Sequence, residues 1–182
     1  MLCAAERLSK RRIVSGRCGF TLVELIAVIA IVGVMSVTAL VSMSGTDATR
    51  ARAAGRALAR DLTFARERAM ATGATSWVAM SVGTNSYSIL AEDPAAPGRA
   101  GAVAITDPAT GQSFVVRLGQ HESAGVVLQS VTVTGGGSDL GFDWLGRPLN
   151  STGTRLTTDT TIALSSGVSI SVAGGAGIAT GP

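Results

Sequence analysis

Cysteine occurs only at positions 3 and 18, histidine only at His121, and no proline precedes Pro94. Each scarcity excludes something. Everything after residue 18 lacks thiols, so the downstream fold contains no disulfide and must be stable through its core alone. One histidine and no downstream cysteine give little basis for a nucleophile with an activating base, and the chain reads as a non-enzyme. The GxGxxG and P-loop patterns are missing, and the run Gly135–Gly137 is not followed by a helical pattern, so no phosphate cradle is expected. Charged residues make up only 15% of the 182 positions and mean hydropathy is +0.39, which assigns one segment to lipid. The length allows one compact domain plus an appendage.

The pI of about 9.5 suggests a basic protein, but the charge is unevenly placed. Arg7, Lys10, Arg11, Arg12 and Arg17 are five of the fifteen basic residues and all precede position 20. Without them and Glu6, ten basic residues face eleven acidic ones, and the formal charge falls from +3 to −1.

Phe20 to Met43 holds 24 residues with one charge, Glu24. As a helix it is about 36 Å long at about 1.5 Å per residue, enough for a hydrocarbon core of roughly 30 Å. The basic residues directly before it keep the amino terminus cytoplasmic and send the bulk of the chain across the membrane. An ordinary secretory signal, cut near Val37-Thr38-Ala39, is the alternative, but such signals have shorter apolar regions without charge. A charge inside a bilayer costs about 2.5 to 3.5 kcal/mol and needs a partner. Cutting the Gly19-Phe20 bond would create one: an α-amino group at Phe20, four residues before Glu24 or within reach of a neighbouring helix.

Gly19-Phe20-Thr21-Leu22-Val23-Glu24 after a basic leader resembles the leader of type IV pilins and type II secretion pseudopilins. The resemblance implies cleavage after Gly19 by a prepilin peptidase, methylation of Phe20, and docking of subunits through Glu24. Gly33 is a candidate soft point in the helix, or a place of close helix packing at a small residue.

Beyond the apolar run, Ala51, Ala54, Leu58, Leu62, Ala65 and Ala69 follow spacings of 3 and 4, one face of a helix. Arg52, Arg56, Arg60 and Arg66 fall on the other side, with Asp61 and Glu67 as local partners. Arg50, Arg52, Arg56 and Arg60 are candidate contacts to lipid headgroups or a neighbouring subunit. Gly73 ends the helix near Thr72.

After Gly73 the pattern turns to strands near 76–82, 86–91, 113–118, 126–133, 140–145, 160–164 and 168–172, with an exposed loop over 91–101 and a glycine-rich turn over 134–138. Asp139 and Asp143 beside that turn are the one weak suggestion of a calcium site. Turn formation explains them adequately, and no metal or cofactor is expected. The run Ala57 to Gly73 leading into Trp77–Val82, with Phe142-Asp143-Trp144-Leu145-Gly146-Arg147-Pro148 as a late strand and turn, resembles the GspH/FimT family of minor pseudopilins and minor pilins.

The expected fold is α+β and pilin-like, a long amino-terminal helix packed on an antiparallel sheet. Residues 1–19 are the removed leader, 20–45 the transmembrane and filament-core helix, 46–73 the amphipathic stem, and 74–182 a periplasmic β-rich head. The resemblance implies a minor subunit of a type II secretion pseudopilus or type IV pilus, held in the inner membrane by a single pass. Its implied partners are prepilin peptidase, other pilins through the amino-terminal helix, the inner-membrane assembly platform and membrane lipid. A DNA-binding minor pilin is the alternative reading, but residues 171–182 carry no Lys or Arg, and from residue 69 onward four arginines face seven acidic residues. DNA is therefore not expected as a partner. The mature chain should begin at Phe20 with a methylated amine, as read by intact-mass measurement; a membrane form beginning at Leu40 would show ordinary signal processing instead.

Overall fold

The computed structural model describes residues 21–182 and, outside 37–44, their side chains. Two compact units divide the chain, residues 1–41 and 42–182, with helix α1 (Leu22–Thr72) running through the boundary.

In the described part of the first unit, α1 starts on a side-chain cap. Thr21 Oγ1 accepts a hydrogen bond from the backbone N–H of Glu24 at 3.2 Å, the Ser/Thr-to-N3 half of a capping box. Ser36 donates back to the Val32 carbonyl at 2.7 Å, which keeps its hydroxyl satisfied inside an apolar stretch.

In the second unit, α1 ends where its sequence stops it. Gly73 adopts φ +71°, and its N–H bonds the Ala69 carbonyl. The predicted apolar stripe is the buried one: Ala51, Ala54, Leu58, Leu62, Ala65 and Ala69 all join one core. Strands then follow in the order β1 (Ser76–Ser81), β2 (Ser86–Ala91), β3 (Val103–Ala104), β4 (Val115–Arg117), β5 (Leu128–Thr132), β6 (Asp139–Phe142), β7 (Pro148–Leu149), β8 (Thr160–Leu164), β9 (Ser169–Val172) and β10 (Ala179–Thr180).

They form two antiparallel sheets. The first has the order β3-β2-β1-β6-β7, with β4 also on β2, and the second the order β10-β9-β8-β5. β1 and β2 make a hairpin with Ser81 opposite Ser86, and the intervening turn carries Asn85 at φ +51°. Period-two alternation sorts their side chains. Val78, Met80, Tyr87, Ile89, Leu140 and Phe142 face the core shared with α1 and with Ile162, Leu164, Ile170 and Val172 of the second sheet. Trp77, Leu90 and Leu149 face the other way and form a smaller cluster with Ala79 and Ala102.

Asn85 ties the sheets together: its side-chain amide donates to the Val126 carbonyl at 2.9 Å, and its carbonyl accepts from Leu128 N at 2.7 Å. The loop after β2 is fixed by Glu92, whose carboxylate accepts from Thr75 N and Gly98 N at 3.2 and 2.7 Å. Burial pushes that carboxyl up, but the hydrogen bonds from Thr75 and Gly98 outweigh it and hold its pKa below the ordinary 4.5.

Two expectations change. The strand placed at 140–145 stops at Phe142, because Asp143 turns the chain: Gly146 N bonds the Asp143 carbonyl at 2.8 Å and Trp144 and Leu145 leave the sheet. The short strands β3, β7 and β10, of two residues each, carry no readable alternation and were not foreseen.

Gly141 marks the tightest cross-strand fit. It sits opposite Trp77, and a Cβ placed there would lie 2.6 Å from Trp77 Cζ3 and 2.7 Å from Cε3. The indole covers a position where only glycine leaves room. Gly141→Ala should therefore destabilise residues 42–182 by about 1–3 kcal/mol through overpacking, read as a lowered denaturant midpoint with an unchanged slope.

Candidate functional site

The first candidate site is the start of α1. Gly19 and Phe20 lie outside the described residues, so the expected cut and the amine it would create have no geometry here. Glu24 stands in the first turn, exposed, with its backbone N–H engaged by Thr21. Its carboxylate takes no hydrogen bond or ion pair among the described residues, so local capping does not need the charge.

Around Glu24 the helix is apolar on every side. Leu22, Val23, Leu25, Ile26, Val28, Ile29, Ile31, Val32, Val34 and Met35 are all more than half exposed. An apolar stripe on one face would mean packing on a sheet; apolar residues all round need cover from lipid or other helices. A Cβ at Gly33 would meet nothing within 4 Å, so nothing described packs against that position. Among the described residues no helix is long and apolar enough to cross a membrane. Phe20 and the side chains of 37–44, which belong to the expected span, lie outside that description.

The arginines of the second unit part company. Arg50 forms a long, exposed ion pair with Asp47 at 3.5 Å, a contact of little energetic weight. Arg52, Arg56 and Arg60 face outward as expected, with Arg56 Nε donating to the Pro182 carbonyl at 3.3 Å. Arg66 does not belong to that stripe: it is half-buried, and its Nε donates to the Gly146 carbonyl at 3.1 Å. Helical phase put Arg66 with the others, but the turn after β6 comes up against that side of the helix and takes it. Asp61 likewise pairs with no arginine. Its carboxylate accepts the Tyr87 hydroxyl at 2.6 Å, which fastens α1 to β2. Burial raises the Asp61 pKa above 3.8 against the pull of Tyr87 and Arg60, and burial together with the Asp61 charge drives the Tyr87 hydroxyl up.

Arg60 and Arg117 border an open groove of about 450 Å³ with Ala53, Ala54, Ala57, Tyr87 and Leu118, into which His121 also faces. His121 is exposed, on a short 3-10 turn with φ +48°.

The two carboxylates weighed as calcium ligands are both taken by arginine. Arg99 Nε lies 2.6 Å from Asp139, and Arg147 bonds Asp143 through Nε at 2.7 Å and NH2 at 2.6 Å. Asp143 Oδ1 also accepts the N–H groups of Leu145 and Arg147, both at 2.9 Å. Burial pushes its carboxyl up, and these bonds outweigh it and hold the pKa below 3.8. Among the described residues no three histidine, cysteine or acidic side chains are grouped to hold a metal.

A family model described as the prokaryotic N-terminal methylation motif matches residues 14–40. The minor pseudopilin EpsH from the type 2 secretion system of Vibrio cholerae is similar in structure, with a TM-score of 0.50 at 12% identity over 68% of this chain and 90% of that one. A second structure of EpsH agrees, at the same TM-score and identity, over 69% of this chain and 88% of that one. The chain is pilin-like, with the fold of a minor pseudopilin. No curated protein sequence matches it. In this pilin-like chain the stem stripe, several strands of the head and the Phe142–Pro148 turn were partly readable in the sequence. The Asp61–Tyr87 and Arg66–Gly146 tethers were not, since their partners stand 26 and 80 residues apart.

The shifted carboxylates set a pH profile. A carboxylate whose folded pKa is lowered adds stability above its ordinary value and loses it as pH falls through the folded one; a raised one does the reverse. Asp143→Asn should therefore flatten the acid side of the stability profile, where the unvaried chain weakens below 3.8. Asp61→Asn keeps an acceptor for Tyr87 without a buried charge, so its stability should gain on the unvaried chain as pH rises through the raised Asp61 value. Denaturant midpoints of residues 42–182 between about pH 3 and about pH 7 check both; profiles parallel to that of the unvaried chain would remove these assignments.

Proposed function

We propose that this chain is a minor filament subunit, cut after Gly19 by prepilin peptidase, methylated at Phe20, and joining or priming a periplasmic filament of type II secretion or a type IV pilus. The observation that carries the reading is a conjunction within one chain: a methylation motif over 14–40, helical residues 22–35 apolar on every side, and a head with the minor-pseudopilin fold. Residues 20–45 serve as a single-pass inner-membrane anchor before assembly and as helix-to-helix contact after it. The head faces the periplasm. Both environments cover the same apolar surface, so lipid and neighbouring helices are interchangeable solvents for it.

Glu24 is the docking charge. Its carboxylate is not used by the cap at Thr21, which leaves it to pair with the Phe20 amine of its own or a neighbouring chain. Arg50, Arg52, Arg56 and Arg60 lie nearest the anchor and meet anionic headgroups or the next subunit. The assembly platform and the other pilins are the partners this arrangement serves. Gly33, with nothing packed against it, remains a place where the helix can yield.

Glu24→Ala in the full chain, expressed with its sibling pilins, should leave cleavage and membrane insertion intact and lower crosslinking to filament partners several-fold. Glu24→Gln should share the defect, because it keeps the shape and loses the charge. Undiminished crosslinking of both variants would show that the carboxylate is dispensable.

A further inference from the structure

Among the described side chains of residues 42–182, half of the exposed large apolar ones are single valines at strand ends and loops: Val82, Val103, Val115 and Val127. Scattered ones of this kind are normal. Four others are not scattered. Trp144 is 59% exposed, Ile178 53%, Leu145 45% and Met70 39%, and the segments that carry them meet at Gly146. A Cβ built on Gly146 would lie 2.9 Å from Met70 Sδ, and one on Gly177, next to Ile178, would strike the Gly146 carbonyl. Helix end, strand turn and carboxyl-terminal turn thus meet at one place, and each carries exposed apolar side chains there.

The turn that presents Trp144 and Leu145 is held from beneath. Asp143 accepts Leu145 N and Arg147 N and is clamped by the Arg147 guanidinium, while Asp143 N bonds the Arg147 carbonyl at 3.0 Å. Gly146 is buried at φ +73°, and its carbonyl takes the Arg66 Nε. The backbone is fixed while the Trp144 and Leu145 side chains stand out from it. A rigid aromatic anchor loses little conformational entropy on binding, and tryptophan flanked by arginine is the composition of interface hot spots.

Resting on the function proposed above, we propose that this surface docks the head of a different pilin-like subunit, one presenting an apolar socket bordered by a carboxylate. Lipid is the wrong occupant. Along α1, Met70 is 25 residues beyond Gly45, where the proposed anchor ends; that is about 38 Å of helix at about 1.5 Å per residue, long enough to hold the surface clear of the bilayer. A second copy fits poorly too. Arg66 forms no ion pair among the described residues, whereas Arg147 is neutralised by Asp143. Pairing the surface with itself would set Arg66 against Arg66, while a partner carboxylate would answer it.

The test uses the full chain in membranes that hold its sibling pilins, with a photoreactive residue in place of Leu145 and a control in place of Val103, and the crosslinked peptides identified by mass spectrometry. The expected adduct at Leu145 lies in the β-rich head of another prepilin-type protein, and it is several-fold stronger than any at Val103. Trp144→Ala combined with Leu145→Ser should lower incorporation several-fold while cleavage after Gly19 and the near-ultraviolet signal of the buried Trp77 persist. An adduct to lipid, an adduct to a second copy, or no adduct in a chain that is cleaved and incorporated overturns the docking surface and leaves the filament role standing. A chain neither cleaved nor incorporated overturns both.

Discussion

The fold of the second unit depends on one shared surface, the stripe Ala51, Ala54, Leu58, Leu62, Ala65 and Ala69. Both sheets bury their inner faces in the same core as this stripe. Four of its six residues are alanine, which lets the strands approach the helix closely, while the two leucines supply the apolar volume at its centre. With no disulfide available beyond residue 18, removal of that surface would leave two small sheets, each with an uncovered apolar face.

Polar contacts then choose among the ways a helix and two sheets can meet. Apolar packing is tolerant of sliding, whereas a hydrogen bond is not. Asp61 with Tyr87 fixes the helix on the first sheet, Arg66 with Gly146 fixes its far end on the turn after β6, and Asn85 fixes the first hairpin on the segment entering β5. The same logic makes the Asp143 turn rigid and turns an ordinary connection into a platform for exposed side chains.

The two units meet opposite physical demands. The amino-terminal helix shows apolar side chains in every direction and a single carboxylate in its first turn, a surface that needs cover from lipid or other helices. The head covers itself almost completely and leaves charged residues on the stem and one apolar cluster at the turn. On the function proposed above, anchoring and selectivity are separable: the helix would supply attachment and the head the choice of partner.

Local pattern carried a good part of this in the sequence. The 24-residue run from Phe20 to Met43 with its single charge, the spacing of the stem stripe, the stop at Gly73, and strands such as 86–91 and 160–164 follow from periodicity, capping and turn chemistry, all of which act over a few residues, whereas the Gly19–Glu24 junction was legible only as a resemblance. The division into two sheets, the two-residue strands, the inward turn of Arg66, the arginine partners of Asp139 and Asp143, and the gathering of Met70, Trp144, Leu145 and Ile178 were settled only by the tertiary structure. Their partners are distant in the chain, and helical phase or strand alternation says which face a side chain leaves from, not what arrives to meet it.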